Sequence, residues 1–543
     1  MSNTKARVGL GHGTRTCMRA RSLMVLGTAS HVGKSLMVAA FCRIFARRGY
    51  DVVPFKAQNM SLNSAATVDG YEIGRAQALQ AEAAYQIATR EMNPILLKPD
   101  SDHSCQIVAA GRTWGRLSAS DYHNGRAEEL FPLVLESYEK LTVRHDLIVL
   151  EGAGSPAEIN LKGHDIVNMR MAAAAKAACL LVGDIDRGGV FAAMVGTLEL
   201  LSAEERRLIQ GLLINKFRGD LELLKPGLRD LERKTGKNCL GVVPYLEDLD
   251  LDEEDSVSLE SSCTTAKGNW QAATDAARPL RMAVIAVPYF SNFTDFEALN
   301  REPSVCLRFL KHPRQLEHAD VIVLPGTKNT ISDLHWLRTS GIADQVLAHA
   351  RSGRILIGIC GGMQMMGVSI SDPHHLEGGG QIEGLSLLPI RTVLRQEKTT
   401  VPVTAYLNRP ALLGMPFAAP CTSGYEIHLG ETTYEPGASS LFQLQRMNHG
   451  IRTEDGAQDA HGNCLGTYVH GLFDGDEFRH AFLANARAHC HLASPRELIF
   501  HRRARENSLN RLADTVERAV DLEQISGWLG LPVRAEAALG PPR

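Results

Sequence analysis

A chain of 543 residues has room for two to four domains of roughly 150 residues each, and a content of 44% hydrophobic with 22% charged residues is that of a folded globular protein, which excludes extensive disorder. Lysine plus arginine (58) nearly balances aspartate plus glutamate (61), so a net charge of −3 creates no global field for nucleic acid or anionic lipid. The longest apolar candidate, residues 171–182, is interrupted by Lys176, and the eleven cysteines form no C-x-x-C pair, so neither a membrane span, a disulfide framework nor a structural zinc is expected.

In chain order, the basic residues 1–21 lack an apolar segment and are expected to be an extension rather than a secretory signal. From residue 22 to 247, short apolar runs predict strands at 23–26, 52–55, 147–150, 179–182, 212–214 and 240–243. Amphipathic stretches between them predict helices at 36–48, closed by Gly49, at 73–87 and at 127–141. Buried strands alternating with helices imply an α/β domain with a mainly parallel sheet. Residues 248–255 then carry six carboxylates in eight positions, and 248–280 reads as an acidic linker. A second α/β block spans 281–475, with strands at 282–287, 321–324 and 355–359, a helix at 342–350, and β-like runs from 385 to 469. Residues 476–543 read as a charged helical tail. The expectation is a two-domain cytoplasmic enzyme.

The first chemical signal is Gly27-Thr28-x₄-Gly33-Lys34-Ser35, between a predicted strand and a predicted helix. Backbone N–H groups at such a junction cradle phosphates, Lys34 neutralises them, and the Ser35 hydroxyl suits Mg²⁺. Five residues rather than four separate Gly27 from Gly33, so the strict phosphate-loop spacing fails by one. This variant resembles the dethiobiotin synthetase branch of phosphate-loop enzymes, which activate small-molecule carboxylates with ATP. The resemblance implies a carboxylate metal ligand at the end of a later strand, and Glu151, leaving an apolar run into Gly152-Ala-Gly154, fits.

The second signal is residues 355–359 followed by Cys360-Gly361-Gly362-Met-Gln364, a strand, a cysteine among glycines, and helix-like residues. This is the layout of a nucleophile elbow with a thiol. His470, at the end of a β-like run and followed by Gly471, is the candidate base. The Gly326 and Gly361 N–H groups are candidate oxyanion donors, Gly326 lying in the turn after a predicted strand. Together these motifs resemble a class I glutamine amidotransferase domain, which releases ammonia from glutamine through a thioester. The resemblance implies that Gln364 helps to seat glutamine. It also implies a Glu two residues after the histidine, where this chain has Leu472, so the orienting group for His470 is left unassigned.

Four further segments tighten the resemblance: Lys56-Ala-Gln58-Asn59-Met-Ser-Leu-Asn63, Glu72-Ile-Gly-Arg75-Ala-Gln77, Asp184-Ile-Asp186-Arg187, and Gly424-Tyr-Glu-Ile-His428. With the two catalytic motifs they are similar, in order, to signatures of the cobyric acid synthase family. That resemblance implies amidation of the b, d, e and g carboxylates of adenosylcobyrinic acid a,c-diamide, with glutamine, ATP and Mg²⁺, and with cobalt belonging to the substrate. Lys56, Gln58, Asn59 and Asn63 are candidates for the meeting point of γ-phosphate and acceptor. Asp184 and Asp186 are candidates to bind metal or orient the acceptor, and Arg187 to pair with a substrate carboxylate. A salt bridge confined to that loop is the alternative for Arg187, and His428 is open between a glutaminase role and a packed strand histidine. Partners are small molecules, with no nucleic acid and no membrane. A different two-module amidotransferase, such as a cobyrinic acid a,c-diamide synthase, stays open, as does a ParA-like switch ATPase, which would leave Cys360 and His470 without a purpose.

Overall fold

The computed structural model describes residues 19–99, 104–118, 126–247, 249, 251, 275–447, 450 and 452–532. Most of the expected extension (1–21) and acidic linker (248–280) lies outside the described residues.

Six strands, β1 (Arg21–Gly27), β2 (Val52–Phe55), β3 (Leu147–Glu151), β4 (Ala178–Asp184), β5 (Ile209–Phe217) and β6 (Asn238–Pro244), form a parallel sheet in the order β6-β5-β4-β1-β3-β2. Alternation along the strands explains why their sequences are apolar throughout. Met24, Leu26, Val53, Phe55, Ile148 and Leu150 enter the core on one face, and Leu23, Val25, Val52, Leu147 and Val149 that on the other. The helix Lys34–Arg47 covers the second face, and onto it packs the long C-terminal helix His501–Ala519. Arg43, fully buried, donates to Glu506 and to Asn510 (3.1 Å) of that helix, while Arg47 and Arg48 pair with Asp514 and Glu517.

The predicted helix over 73–87 is shorter: Glu72–Gly74 is a strand and the helix runs Arg75–Ala83. Gly74, extended at the junction, leaves no room for a side chain: a Cβ would sit 2.6 Å from Gln77 Oε1 and close to Asn59 and Asn93. The strand pairs with Ser64–Ala66 in a hairpin, and Gln58–Met60, Ile95–Pro99, Ser104–Ala109 and Arg112–Ser118 form a small second sheet. These elements, absent from the sequence reading, carry the first half of the chain to its contact with the second.

That second half is built on β7 (Leu280–Ile285), β8 (Val305–Leu310), β9 (Val321–Leu324), β10 (Ile355–Ile359), β11 (Ala457–Gln458) and β12 (Cys464–Thr467), in the order β8-β7-β9-β10-β12-β11, with only β11 antiparallel. The β-like stretch after residue 385 is a separate, largely antiparallel layer led by the pair Ile390–Leu407 and Cys421–Tyr434. The helix Asp476–His489 closes this half through Phe478, Phe482 and Leu483. No helix among the described residues is long and apolar enough to cross a membrane.

Within the same helix Arg479 is fully buried and donates to Glu302 Oε1 (2.8 Å), the Phe473 carbonyl (2.9 Å) and Asp476 Oδ1 (2.8 Å). Glu302 is equally buried and follows the segment Phe293–Asn300, so the pair fixes that segment against the helix. Removing Glu302 leaves the buried guanidinium with only the partly exposed Asp476 as counter-charge, and breaking a buried pair of this kind costs about 3–5 kcal/mol. Glu302→Ala is therefore expected to lower unfolding stability by that amount in denaturant titration, and a change within experimental error would show that Arg479 does not depend on Glu302.

Candidate active sites

Both candidate sites lie beyond the C-terminal ends of the parallel strands, where the chain turns from strand to helix. In the first half, β1 ends at Gly27 and the helix begins at Lys34, with Gly33 at φ 98° capping it. A Cβ on Gly33 would lie 2.3 Å from Asn215 Nδ2, whose own bond goes to the Val32 carbonyl (2.9 Å), so only glycine fits here. Lys34 Nζ folds back onto the Ala29 (2.9 Å) and Gly154 (3.0 Å) carbonyls. Ser35 Oγ donates to Glu151 Oε1 (2.8 Å), the same oxygen that pairs with Lys56 Nζ at 2.8 Å, and Gln80 Nε2 donates to Glu151 Oε2 (2.5 Å). Ser35 and Glu151 thus form a pair of hard oxygen donors beside the loop, the donor set that suits Mg²⁺. No cluster of three or more His, Cys, Asp or Glu able to hold a metal occurs among the described residues.

Gly33, Lys34, Ser35, Lys56, Gln58, Asn59, Glu151 and Arg187 line one cavity of about 1370 Å³. Thr28 stands behind it, its N–H bonded to the Val182 carbonyl (2.9 Å). Asp184 is committed to its surroundings: it accepts from Lys216 (2.8 Å) and from the Asp186 N–H (2.9 Å). Asp186 pairs with Arg218 at 3.4 Å, and neither aspartate lines the cavity. Arg187, 65% exposed and 3.9 Å from Asp184, lines the cavity with Lys216 and Arg218, which pair with Asp184 and with Asp186 and Glu247 respectively. Asn63 lies elsewhere, at the seam between the halves, where its Oδ1 accepts from the Phe293 N–H (3.1 Å).

In the second half, Cys360 follows β10 at φ 51° and ψ −111°, a strained conformation for a side chain of this kind, and precedes the helix Gly361–Met366. The glycines are required by crowding: a Cβ on Gly362 would lie 1.9 Å from the Leu324 carbonyl oxygen. The Cys360 thiol donates to the Ile427 carbonyl (3.7 Å) and interacts electrostatically with His470, whose Nδ1 donates to Asp295 Oδ2 (2.7 Å). Asp295 Oδ1 accepts from the Gly471 N–H (2.8 Å). Burial disfavours an imidazolium, but the Asp295 carboxylate, its hydrogen bond and the neighbouring Cys360 outweigh it, raising the His470 pKa to about 10. Gly326 abuts His470, a Cβ there falling 2.9 Å from His470 Cε1, and Gly361 packs against Thr327, the residue after Gly326. Gln364 is buried and fixed by Thr330 Oγ1 (3.1 Å) and Tyr468 OH (3.0 Å), at the wall of the pocket that holds Cys360.

His428 stacks on Tyr468 at 3.7 Å and contacts Glu426 (3.1 Å) and the Gly430 carbonyl (2.8 Å); it is a packed strand histidine that also reaches this pocket. Sequence reasoning missed Asp295, which takes the orienting position that Leu472 vacates. Its only signal is an acid in the aromatic run Phe293-Thr-Asp295-Phe296. It also missed Gln80 and Asp333, the latter buried with its pKa raised to about 7 by desolvation while accepting from Thr327 and the Tyr289 N–H (3.3 Å).

Comparison with known proteins agrees with this division. Residues 23–259 match the model of the CobQ/CobB/MinD/ParA nucleotide binding domain, and residues 281–478 that of the CobB/CobQ-like glutamine amidotransferase domain. A cobyric acid synthase of Moorella thermoacetica is 46% identical over 513 residues, covering 94% of this chain and 98% of that protein. One of Sorangium cellulosum is 46% identical over 531 residues, covering 95% and 100%. Among solved structures, PurLQS of Thermotoga maritima aligns with a TM-score of 0.29 at 14% identity, over 43% of this chain and 99% of that one. With two domain models in this order and relatives matched along nearly their whole length, the chain belongs to the cobyric acid synthase family.

Proposed function

We propose that the chain amidates the b, d, e and g carboxylates of adenosylcobyrinic acid a,c-diamide in turn, giving adenosylcobyric acid, with glutamine as nitrogen donor and ATP as the activating agent. The observation that carries the reading is the pairing, in one chain, of a Cys360–His470–Asp295 relay with a phosphate-loop cavity containing Ser35 and Glu151. The identity of the acceptor rests on the family relationship.

In the glutaminase half, Asp295 holds the His470 ring by Nδ1 and stabilises its protonated form, so the imidazole accepts the Cys360 proton. The Cys360 sulfur attacks the glutamine carboxamide, the Gly326 and Gly361 N–H groups stabilise the developing oxyanion, and His470 protonates the departing ammonia. Water then cleaves the γ-glutamyl thioester to glutamate. In the other half Lys34 screens the β- and γ-phosphates as an acceptor carboxylate takes up the γ-phosphoryl group. Ammonia displaces phosphate from that acyl phosphate to form the amide. Ser35 and Glu151 would hold Mg²⁺, which neutralises phosphate charge when bound. Lys56, which shares Glu151 with Ser35, is the candidate to reach γ-phosphate and acceptor carboxylate, and the largely exposed Arg187 at the cavity is the candidate to pair with a further acceptor carboxylate. The cavity exceeds the ~300–1,000 Å³ of ordinary ligand sites, as a nucleotide with part of a large acceptor requires.

Mass spectrometry of adenosylcobyrinic acid a,c-diamide incubated with the protein, glutamine and MgATP is expected to show four successive carboxylate-to-amide mass steps; an unchanged acceptor alongside glutamine hydrolysis would rule out this acceptor. Cys360→Ala is expected to end glutamine-dependent turnover while amidation with concentrated ammonium persists, whereas Lys34→Ala blocks both, and ammonium-dependent turnover in Lys34→Ala would remove the phosphate-loop role. Asp295→Asn should lower glutaminase kcat by roughly 10²- to 10⁴-fold. Because Asp295, with Cys360, raises the His470 pKa to about 10 from the 6.5 of a free imidazole, the stability this supplies is complete below 6.5 and is lost as pH climbs through 10. The Tm difference between wild type and Asp295→Asn should accordingly be largest near pH 6 and vanish above pH 10; a pH-independent difference would show that the pair does not titrate this way.

A further inference from the structure

The segment that leads away from the phosphate cavity ends on the turn that carries Asp295. Lys56, Gln58, Asn59 and Met60 line the cavity, and three residues further on Asn63, 1% exposed, reaches the seam between the halves. Asn63 is fixed within its own half: its N–H donates to Ser61 Oγ (3.0 Å) and its carbonyl accepts from the Arg75 N–H (3.1 Å). Its side-chain Oδ1 accepts from the Phe293 N–H (3.1 Å), and the next residue, Ser64, donates its N–H to Asn292 Oδ1 (3.0 Å). Two consecutive residues of the nucleotide-binding half thus hold two consecutive residues of the amidotransferase half.

Asn292 and Phe293 open the short helix Phe293–Phe296, whose third residue is Asp295. A single turn of 3₁₀ helix has little stability of its own, so what holds its first residues decides where Asp295 points. Phe293 and Phe296 root the turn in the core of their own half, where both rings pack against Phe290. The rotation of the backbone is left to hydrogen bonds, and the Phe293 N–H finds its acceptor in Asn63 across the seam. That rotation matters because Asp295 must meet two donors at once. Its Oδ2 accepts from His470 Nδ1 (2.7 Å) and its Oδ1 from the Gly471 N–H (2.8 Å), which demands one orientation of the carboxylate.

We infer that Asn63 is a positioning residue of the glutaminase: through the Phe293 N–H it sets the turn that presents Asp295 to His470, so that the base is aligned only while the two halves are docked. The inference rests on the glutaminase reading of Cys360 and His470 given above. Asn63 lines neither the Cys360 pocket nor the phosphate cavity, so it acts through Asp295 rather than on a substrate. A residue of the nucleotide-binding half thereby governs a rate measured in the other half.

The test measures ammonia release from glutamine beside amidation of the acceptor driven by concentrated ammonium. Asn63→Ala is expected to lower glutaminase kcat by about 10- to 100-fold, the scale on which a small displacement of an aligned group costs rate. KM for glutamine and the ammonium-driven reaction should change little. Asn63→Asp, which keeps an acceptor oxygen for the Phe293 N–H, should recover most of the loss. In the Asp295→Asn background Asn63→Ala should cost no more than about twofold further, because residues that act through one another are not additive. If Asn63→Ala does not fold, Asn292→Gly is expected to show the same selective fall in kcat, since glycine keeps the left-handed turn while the acceptor of the Ser64 N–H is lost. An unchanged kcat, an equal fall in ammonium-driven amidation, or a full additional loss in the Asp295→Asn background overturns the inference. A wild-type protein that releases no ammonia from glutamine would instead contradict the glutaminase reading on which it rests.

Discussion

The arrangement of both sites depends on a reciprocal exchange of hydrogen bonds at the seam between the halves. Asn292 Oδ1 accepts from the Ser64 N–H (3.0 Å), and Asn63 Oδ1 accepts from the Phe293 N–H (3.1 Å). Each asparagine thus satisfies a buried backbone donor of the opposite half, and either one removed would leave an orphan amide in the interior. Asn292 stands at φ 54°, the left-handed turn that starts the short helix Phe293–Phe296, and that helix presents Asp295 to His470. Tyr425 reinforces the seam: its hydroxyl donates to the Ser64 carbonyl (3.1 Å), its backbone exchanges bonds with His470, and its ring stacks on the imidazole. The orientation of the candidate base is therefore set in part by residues of the nucleotide-binding half.

The two sites solve one mechanical problem in the same way. In each, a fully buried apolar strand fixes the starting point, a crowded turn aims a reactive group, and a helix begins immediately afterwards. Glycine is forced where neighbouring atoms leave no room, at Gly33 against Asn215 and at Gly362 against the Leu324 carbonyl. Rigidity is what such positions demand, because a displaced phosphate cradle or thiol loses the alignment from which rate derives. Glu302 and Arg479 extend that rigidity outward by pinning the chain beyond Asp295.

What the sequence revealed and what it hid divide along the same physical line. Residues 23–35 and 355–364 were legible because strand, turn and helix follow one another locally, and glycine spacing records the turn chemistry. The parallel sheets were legible because strands buried on both faces are apolar throughout. The small mixed sheet and the 64–74 hairpin were not: their strands are three to seven residues long and polar in part, so periodicity carries little signal. Asp295 was hidden for a different reason. It lies 175 positions from His470, and no local pattern announces a partner brought in by tertiary packing. Leu472 marked the absence of the usual partner without pointing to its replacement.

Glu151 shows how the halves are mechanically linked. Its oxygens accept from Ser35, Lys56 and Gln80, so a divalent cation arriving there must exchange places with at least one of these donors. Gln80 lies on the helix Arg75–Ala83, which the strand Glu72–Gly74 precedes. One short helix thus spans the hydrogen bond that Gln80 makes to Glu151 and the strand whose Glu72 pairs with Lys98 and Lys398 at the seam. The helix is two to three turns long with four of its nine residues alanine, the residue of highest helix propensity. Were binding at one site to displace this helix, the resulting coupling would be reciprocal by thermodynamic necessity, each ligand changing the other's affinity by the same factor.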